Sequence, residues 1–115
     1  MVVVYGIPAC GTVKKARSWL NERGTSHAFV DFRAEPVERE RIERWVAAVG
    51  AKALRNTSGG SYRALPEDKK NWSEERWTAA FFDDPMLIKR PVVEVDDKVT
   101  VGFRSSEPLA QALGV

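Results

Sequence analysis

A chain of 115 residues fits one domain, since domains most often run ~100–150 residues. It is 43% hydrophobic and 30% charged, so it can bury a core and is not a disordered tail. Eighteen basic residues against sixteen acidic ones leave a net charge of +2, too small an imbalance to argue for direct nucleic-acid or anionic-membrane binding.

Val2-Val3-Val4-Tyr5 is β-branched and aromatic and is ended by Gly6 and Pro8, which predicts a short buried strand. From Thr12 to Arg23, Val13, Ala16, Trp19 and Leu20 recur at helical spacing, with Lys14, Lys15, Arg17 and Glu22 mainly on the other face. Ala28 to Phe32 reads as a second strand. The resulting β-α-β unit implies a parallel pair joined by a right-handed crossover. Pro36 marks the start of a second helix, in which Ile42, Trp45, Val46 and Val49 follow an i, i+3, i+4, i+7 pattern before Gly50. Arg39, Arg41 and Arg44 interleave there with Glu38, Glu40 and Glu43, the pattern of a solvated, ion-paired face.

Residues 51–73 are less regular, with a helical turn around Ala53-Leu54 and a loop over Asn56-Thr57-Ser58-Gly59-Gly60. Ser73 followed by Glu74 and Glu75 opens another helix, with Trp77, Ala80 and Phe81 on one face and Asp83, Asp84 and Pro85 at its end. Val92 to Val95 and Lys98 to Phe103 flank Asp96-Asp97 as a hairpin. Ser105-Ser106-Glu107-Pro108 caps a last helix that reaches Leu113, with Gly114 beyond it. The order suggests an α/β fold, a small mixed sheet carrying helices. Trp19, Trp45 and Trp77 fall on amphipathic faces and are expected in the core; Trp72 is not assigned by pattern.

The chain holds one cysteine and one histidine. It therefore has no internal disulfide and a poor start for a zinc site of four N/S ligands, so no metal is expected. A core of this size hides roughly two-thirds of the unfolded surface and needs no such staple. No apolar run approaches the roughly 20 residues of a membrane span, and the start lacks the basic n-region of a signal peptide, so a reducing cytoplasm is expected. Neither Gly-rich phosphate-loop pattern is present. His27, between helix and strand, reads as a solvated or locally bonded loop residue.

Cys10 is the residue with chemistry. It follows the first strand by Gly6-Ile7-Pro8-Ala9 and precedes a helix beginning near Thr12. A sulfur there faces unpaired N–H groups and the positive end of the helix dipole, which favour the nucleophilic thiolate. Lys14 and Lys15 add positive charge, and Thr12 can cap the helix or donate to the sulfur. The competing reading is a small buried hydrophobe, the behaviour of most free cysteines.

Tyr5-Gly6-Ile7-Pro8-Ala9-Cys10-Gly11-Thr12-Val13-Lys14-Lys15-Ala16-Arg17 resembles the opening of the arsenate reductase (ArsC)/Spx family, most closely its short YffB-like branch. Ala53-Leu54-Arg55-Asn56-Thr57, Leu87-Ile88-Lys89-Arg90-Pro91-Val92-Val93 and Val101-Gly102-Phe103-Arg104-Ser105 extend the resemblance, in family order, over nearly the whole chain. The resemblance implies a thioredoxin-like (glutaredoxin-like) core over about 1–35 and 86–115 with an inserted helical subdomain over about 36–85. It matches Cys10 to the redox cysteine, Arg55, Arg90 and Arg104 to three arginines around an oxyanion, and Pro91 to a cis-proline beside the active thiol. Thr12 and Lys14 join them as expected substrate-binding residues.

Three positions depart from the family pattern. Val13 stands at the second CxxC position and leaves no internal resolving thiol; Gly6 replaces the histidine of the arsenate reductases, and Lys14 replaces their arginine and loses its planar fork. The expected activity is a glutathione-dependent thiol–disulfide exchange through Cys10, with no bound cofactor, glutathione as cosubstrate and an oxidised thiol or oxyanion as substrate. The alternatives are an Spx-like protein that docks on RNA polymerase, and an arsenate reductase linked to glutathione or a glutaredoxin.

Overall fold

A computed structural model describes residues 1–115. The chain forms two compact units: Met1–Glu35 with Arg90–Val115, and the intervening Pro36–Lys89.

The first unit is a four-stranded mixed sheet with two helices. Its elements are β1 (Val2–Gly6), α1 (Gly11–Glu22), β2 (Ala28–Asp31), β3 (Val92–Val95), β4 (Lys98–Val101) and a helix at Glu107–Leu113. Strand order is β2-β1-β3-β4. β1 runs parallel to β2 and antiparallel to β3, and β3 runs antiparallel to β4, the thioredoxin-like arrangement expected.

Period-two alternation sorts this sheet's faces. Val2 pairs with Val95 and Val4 with Val93, and these four pack with Val13 and Leu20 of α1 and Leu109 of the last helix. Tyr5 and Glu94 lie on the opposite face, where the Tyr5 hydroxyl donates to the Glu94 carboxylate at 3.5 Å. Trp19 differs from expectation. It is only half-buried, at the margin of this core, with Phe103 at a ring distance of 6.2 Å and the Arg23 guanidinium 4.9 Å above it. An indole at the edge keeps apolar contact on one side and a hydrated cation on the other. The last helix also departs. Ser106 is its N-cap residue but has helical φ/ψ and makes no side-chain cap bond, because a capping hydroxyl needs extended backbone to reach back.

The second unit is helical: α2 (Arg39–Val49), α3 (Ala51–Leu54), α4 (Gly60–Arg63) and α5 (Glu74–Asp83), with 3-10 turns at Glu67–Asn71 and Pro85–Leu87; the helix at Glu107–Leu113 is α6. α2 begins at Arg39, not at Pro36. Glu38 is its extended N-cap, and Val37 before it is buried, as is Ile42 in the second turn, the two positions of a hydrophobic staple. Burying Val37 holds the chain extended past the proline. Arg39 and Glu43 form the expected i, i+4 ion pair at 3.9 Å. Gly50 stops α2 at φ +83°, where a side chain would be strained.

α2 and α5 pack on each other, with Ile42 and Trp45 of the first and Trp77 and Phe81 of the second buried. Ser73 caps α5 by accepting the Arg76 N–H at 3.1 Å, as its position predicts. The Glu74 carboxylate accepts the first N–H of α3, from Ala51, at 2.8 Å. An antiparallel bridge joins Arg55 to Ile88, reinforced by Asn56 N–H to Leu87 O and Lys89 N–H to Leu54 O, both 2.7 Å. No helix is long and apolar enough to cross a membrane.

Candidate active site around Cys10

β1 ends at Gly6, and the chain turns over Ile7–Cys10, closed by the Cys10 N–H on the Ile7 carbonyl at 3.2 Å. Pro8 pre-sets φ at the turn's second position. Cys10 then adopts extended backbone, φ −73° and ψ 123°, and is itself the N-cap of α1. Its carbonyl receives the Lys14 N–H at 3.0 Å. The sulfur is half-buried, with its inner side against the sheet core.

Burial alone would push the Cys10 thiol up. The Val13 N–H, the Arg90 guanidinium as hydrogen-bond donor and charge, and the Thr12 N–H outweigh it, so the thiol lies below its ordinary value. No side-chain bond of full capping geometry closes on α1, yet these first-turn N–H groups favour the anion.

Arg90 reaches the sulfur because of strand register. Tyr5 of β1 pairs with Val92 of β3, so the segment leaving β1 and the segment entering β3 meet at one end of the sheet. The Arg90–Pro91 bond is cis, as expected, and Pro91 is buried. Its carbonyl accepts the Gly102 N–H at 2.8 Å, tying the start of β3 to the end of β4.

The expected cap and the expected source of positive charge change. Thr12 lies inside α1 and is not its cap, and its backbone N–H, not its hydroxyl, acts on the sulfur. The chain enters the helix two residues earlier because the Cys10 carbonyl already accepts the first helical bond. Lys14 and Lys15 are exposed, and the charge felt by the sulfur is that of Arg90. Arg104 is exposed, with no hydrogen bond or ion pair. Arg55 belongs to the helical unit, where its guanidinium lies 4.7 Å over the Trp77 ring. Thus Cys10, Thr12 and Arg90 come together by direct interaction. His27 is locally bonded, with Nδ1 3.2 Å from the Thr25 carbonyl and Nε2 accepting from Arg17 Nε at 3.4 Å.

Val13 joins the site through its backbone, which side-chain chemistry in the sequence does not signal. Its N–H is the leading group favouring the Cys10 anion, and its side chain is fully buried beneath the turn. The only local signal is its place in the first turn after the cysteine.

The ArsC family profile matches residues 5–110, and the chain belongs to the ArsC family. It is 35% identical over 109 residues to an uncharacterized protein of Haemophilus influenzae, covering 93% of this chain and 95% of that one. Its structure is similar to that of the YFFB (PA3664) protein, with a TM-score of 0.89 and 38% identity over 98% of this chain and 99% of the other. It also resembles an arsenate reductase (ArsC) related protein from Brucella melitensis, at a TM-score of 0.77 and 36% identity over 95% of this chain and 92% of that one.

Proposed function

We propose that the protein is a glutathione-dependent thiol–disulfide oxidoreductase acting through Cys10. The observation that carries this reading is the depressed Cys10 thiol, half-exposed at a helix N-terminus with Arg90 upon it. Thiolate is the attacking form, so a group holding sulfur as an anion is a group prepared for exchange.

The Cys10 thiolate attacks the glutathionyl sulfur of a mixed disulfide R–S–SG. The Cys10–SG bond forms, the RS–SG disulfide bond breaks, and RS⁻ leaves to take a proton from solvent. The chain contains no second cysteine, so an external glutathione thiolate attacks Cys10–SG. Oxidised glutathione departs and the Cys10 thiolate returns. The sum of the two exchanges is RS–SG + GS⁻ → RS⁻ + GSSG: one external glutathione thiolate is consumed, and the other half of the oxidised glutathione comes from the substrate disulfide. Arg90 stabilises the thiolate both as nucleophile and as leaving group, and the exposed Lys14 and Arg104 supply cations for glutathione carboxylates.

Intact-mass spectrometry after treatment with oxidised glutathione tests the reading. One glutathionyl group should be added, and Cys10→Ser should add none. A wild-type protein left unmodified by excess oxidised glutathione overturns the exchange mechanism.

A further inference from the structure

The two edges of the sheet are built differently. β4 opens with the exposed Lys98, a charge that keeps a further strand away. β2 carries neither lysine nor proline, and each of its residues is half-buried. The Phe32 N–H donates to the Gly6 carbonyl of β1 at 3.1 Å. Main-chain groups alternate sides along a strand, so Ala28 and Val30 also face β1, while His27, Phe29 and Asp31 turn theirs out of the sheet. The outward N–H and C=O of His27 and Phe29 bond to nothing within the chain.

The side chains along this edge are self-complementary. Pairing two copies antiparallel about Phe29 sets Phe29 against Phe29, Ala28 against Val30 and His27 against Asp31 of the second copy. Aromatic, apolar and oppositely charged pairs of this kind stabilise antiparallel strands. Phe29 packs on the core beneath α1, so His27 and Asp31, two residues either side, share its face. Arg17 of α1 supplies the cation there. Its guanidinium lies 4.4 Å over the Phe29 ring, and its Nε donates to His27 Nε2 at 3.4 Å. The Asp31 carboxylate accepts only the Arg33 N–H of its own turn, at 3.0 Å. Neither Arg17 nor Asp31 has an ion pair within the chain.

We infer that β2 is the docking edge for a second copy of this chain, in a two-fold pair centred on Phe29 and flanked by Arg17–Asp31 ion pairs. The Phe29 N–H and C=O exchange bonds with their counterparts, and each Asp31 N–H donates to the His27 carbonyl opposite. A shift of one residue would present groups already turned to β1. A foreign strand would need a carboxylate opposite His27 and a cation opposite Asp31; a second copy supplies both by symmetry. The edge is short, so the pair is reversible and depends on concentration. The inference lies outside the thiol exchange and needs nothing from Cys10.

Sedimentation velocity on the full-length protein, kept reduced with dithiothreitol so that no Cys10 disulfide links two copies, tests it. Between about 10 μM and about 1 mM the mass should rise from 12.9 kDa towards twice that value. Arg17→Glu and Asp31→Arg should each weaken association about tenfold or more, since each sets like charges together. An equimolar mixture of the two variants should associate again, because both cross-pairs are then of opposite sign. Amide hydrogen exchange of the wild-type protein locates the interface. The Phe29 N–H should gain protection as concentration rises, while the Val30 N–H, turned to β1, stays protected throughout. A protein that is monomeric over the whole range overturns the inference, as does a dimer in which Phe29 exchange is unchanged. Folded charge variants that associate like the wild type, or a mixture of them that fails to associate, overturn it too. No glutathione is present, so the outcome is separate from that of glutathionylation.

Discussion

A Cβ on Gly6 would stand 2.6 Å from Cγ2 of Val13. Two positions singled out in the sequence, Gly6 and Val13, are therefore packed on each other. The side chain of Val13 fills the space a residue at position 6 would need, and contact at that distance forces one of them to move.

Gly6→Ala should accordingly destabilise the fold by ~1–3 kcal/mol, the usual cost of overpacking. Val13→Ala loses buried methyl groups on its own but makes room. The double variant should be more stable than the sum of the single changes by ~0.5–3 kcal/mol. Urea midpoints of the four proteins measure this coupling. Strict additivity would mean that the close approach is relieved elsewhere.

The alkylation rate of Cys10 against pH should show a midpoint below the ordinary thiol value of about 8.5. Arg90→Gln removes a hydrogen bond and a charge that both favour the anion while leaving burial, which opposes it. The midpoint should rise. Lys14→Gln and Lys15→Gln should move it far less, since the sulfur feels the charge of Arg90. Iodoacetamide kinetics on the three variants separate these outcomes.

The same depression links stability to pH. Cys10 has a lower pKa folded than unfolded, so losing its proton stabilises the folded state. That contribution is complete above the unfolded thiol pKa and is lost as pH falls through the folded one. Serine does not ionise in this range. The stability of the wild-type protein relative to Cys10→Ser should therefore grow as pH rises from the folded value towards the unfolded one, under reducing conditions. Equilibrium unfolding of both proteins across that window checks the sign.

Ser73 and Ser106 stand at the starts of α5 and α6 yet should differ in worth. Ser73 accepts the Arg76 N–H, whereas Ser106 makes no side-chain cap bond. Ser73→Ala should cost ~1 kcal/mol, within the range for N-caps. Ser106→Ala should change the denaturation midpoint little.

The parts of this fold that sequence patterning reveals are those with their own local period. Val2 to Tyr5, the Val13–Leu20 face and the Ala28 strand each declare themselves, and a β-α-β unit follows. The start of α2 is misread because Pro36 suits a first turn, while burial of Val37 keeps the chain extended until Glu38. The segment 56–71 resists patterning for another reason. Its short turns are held by single bonds, such as Arg63 Nη1 to the Ser58 carbonyl at 2.8 Å and Ser58 Oγ to Asn56 Oδ1 at 3.2 Å, and not by a repeating apolar face. At the site, Cys10 stands out through local position alone. Arg90 emerges only through family resemblance, because its approach to the sulfur depends on β3 lying beside β1. Lys14 and Lys15 are nearer in sequence and point elsewhere, since helix geometry turns them towards solvent.

The Val4–Val93 pairing imposes a wait during synthesis. β1 leaves the ribosome early and can find β2 soon afterwards, but its other edge has no partner until the whole helical unit has been translated. At roughly 5–20 residues per second, that interval is on the order of five to twenty seconds. Throughout it, the nascent chain carries a valine-rich strand edge open to any other extended peptide. The helical unit is continuous in sequence and can bury its tryptophans meanwhile; the sheet closes last, when its second segment emerges and β3 covers the bare edge.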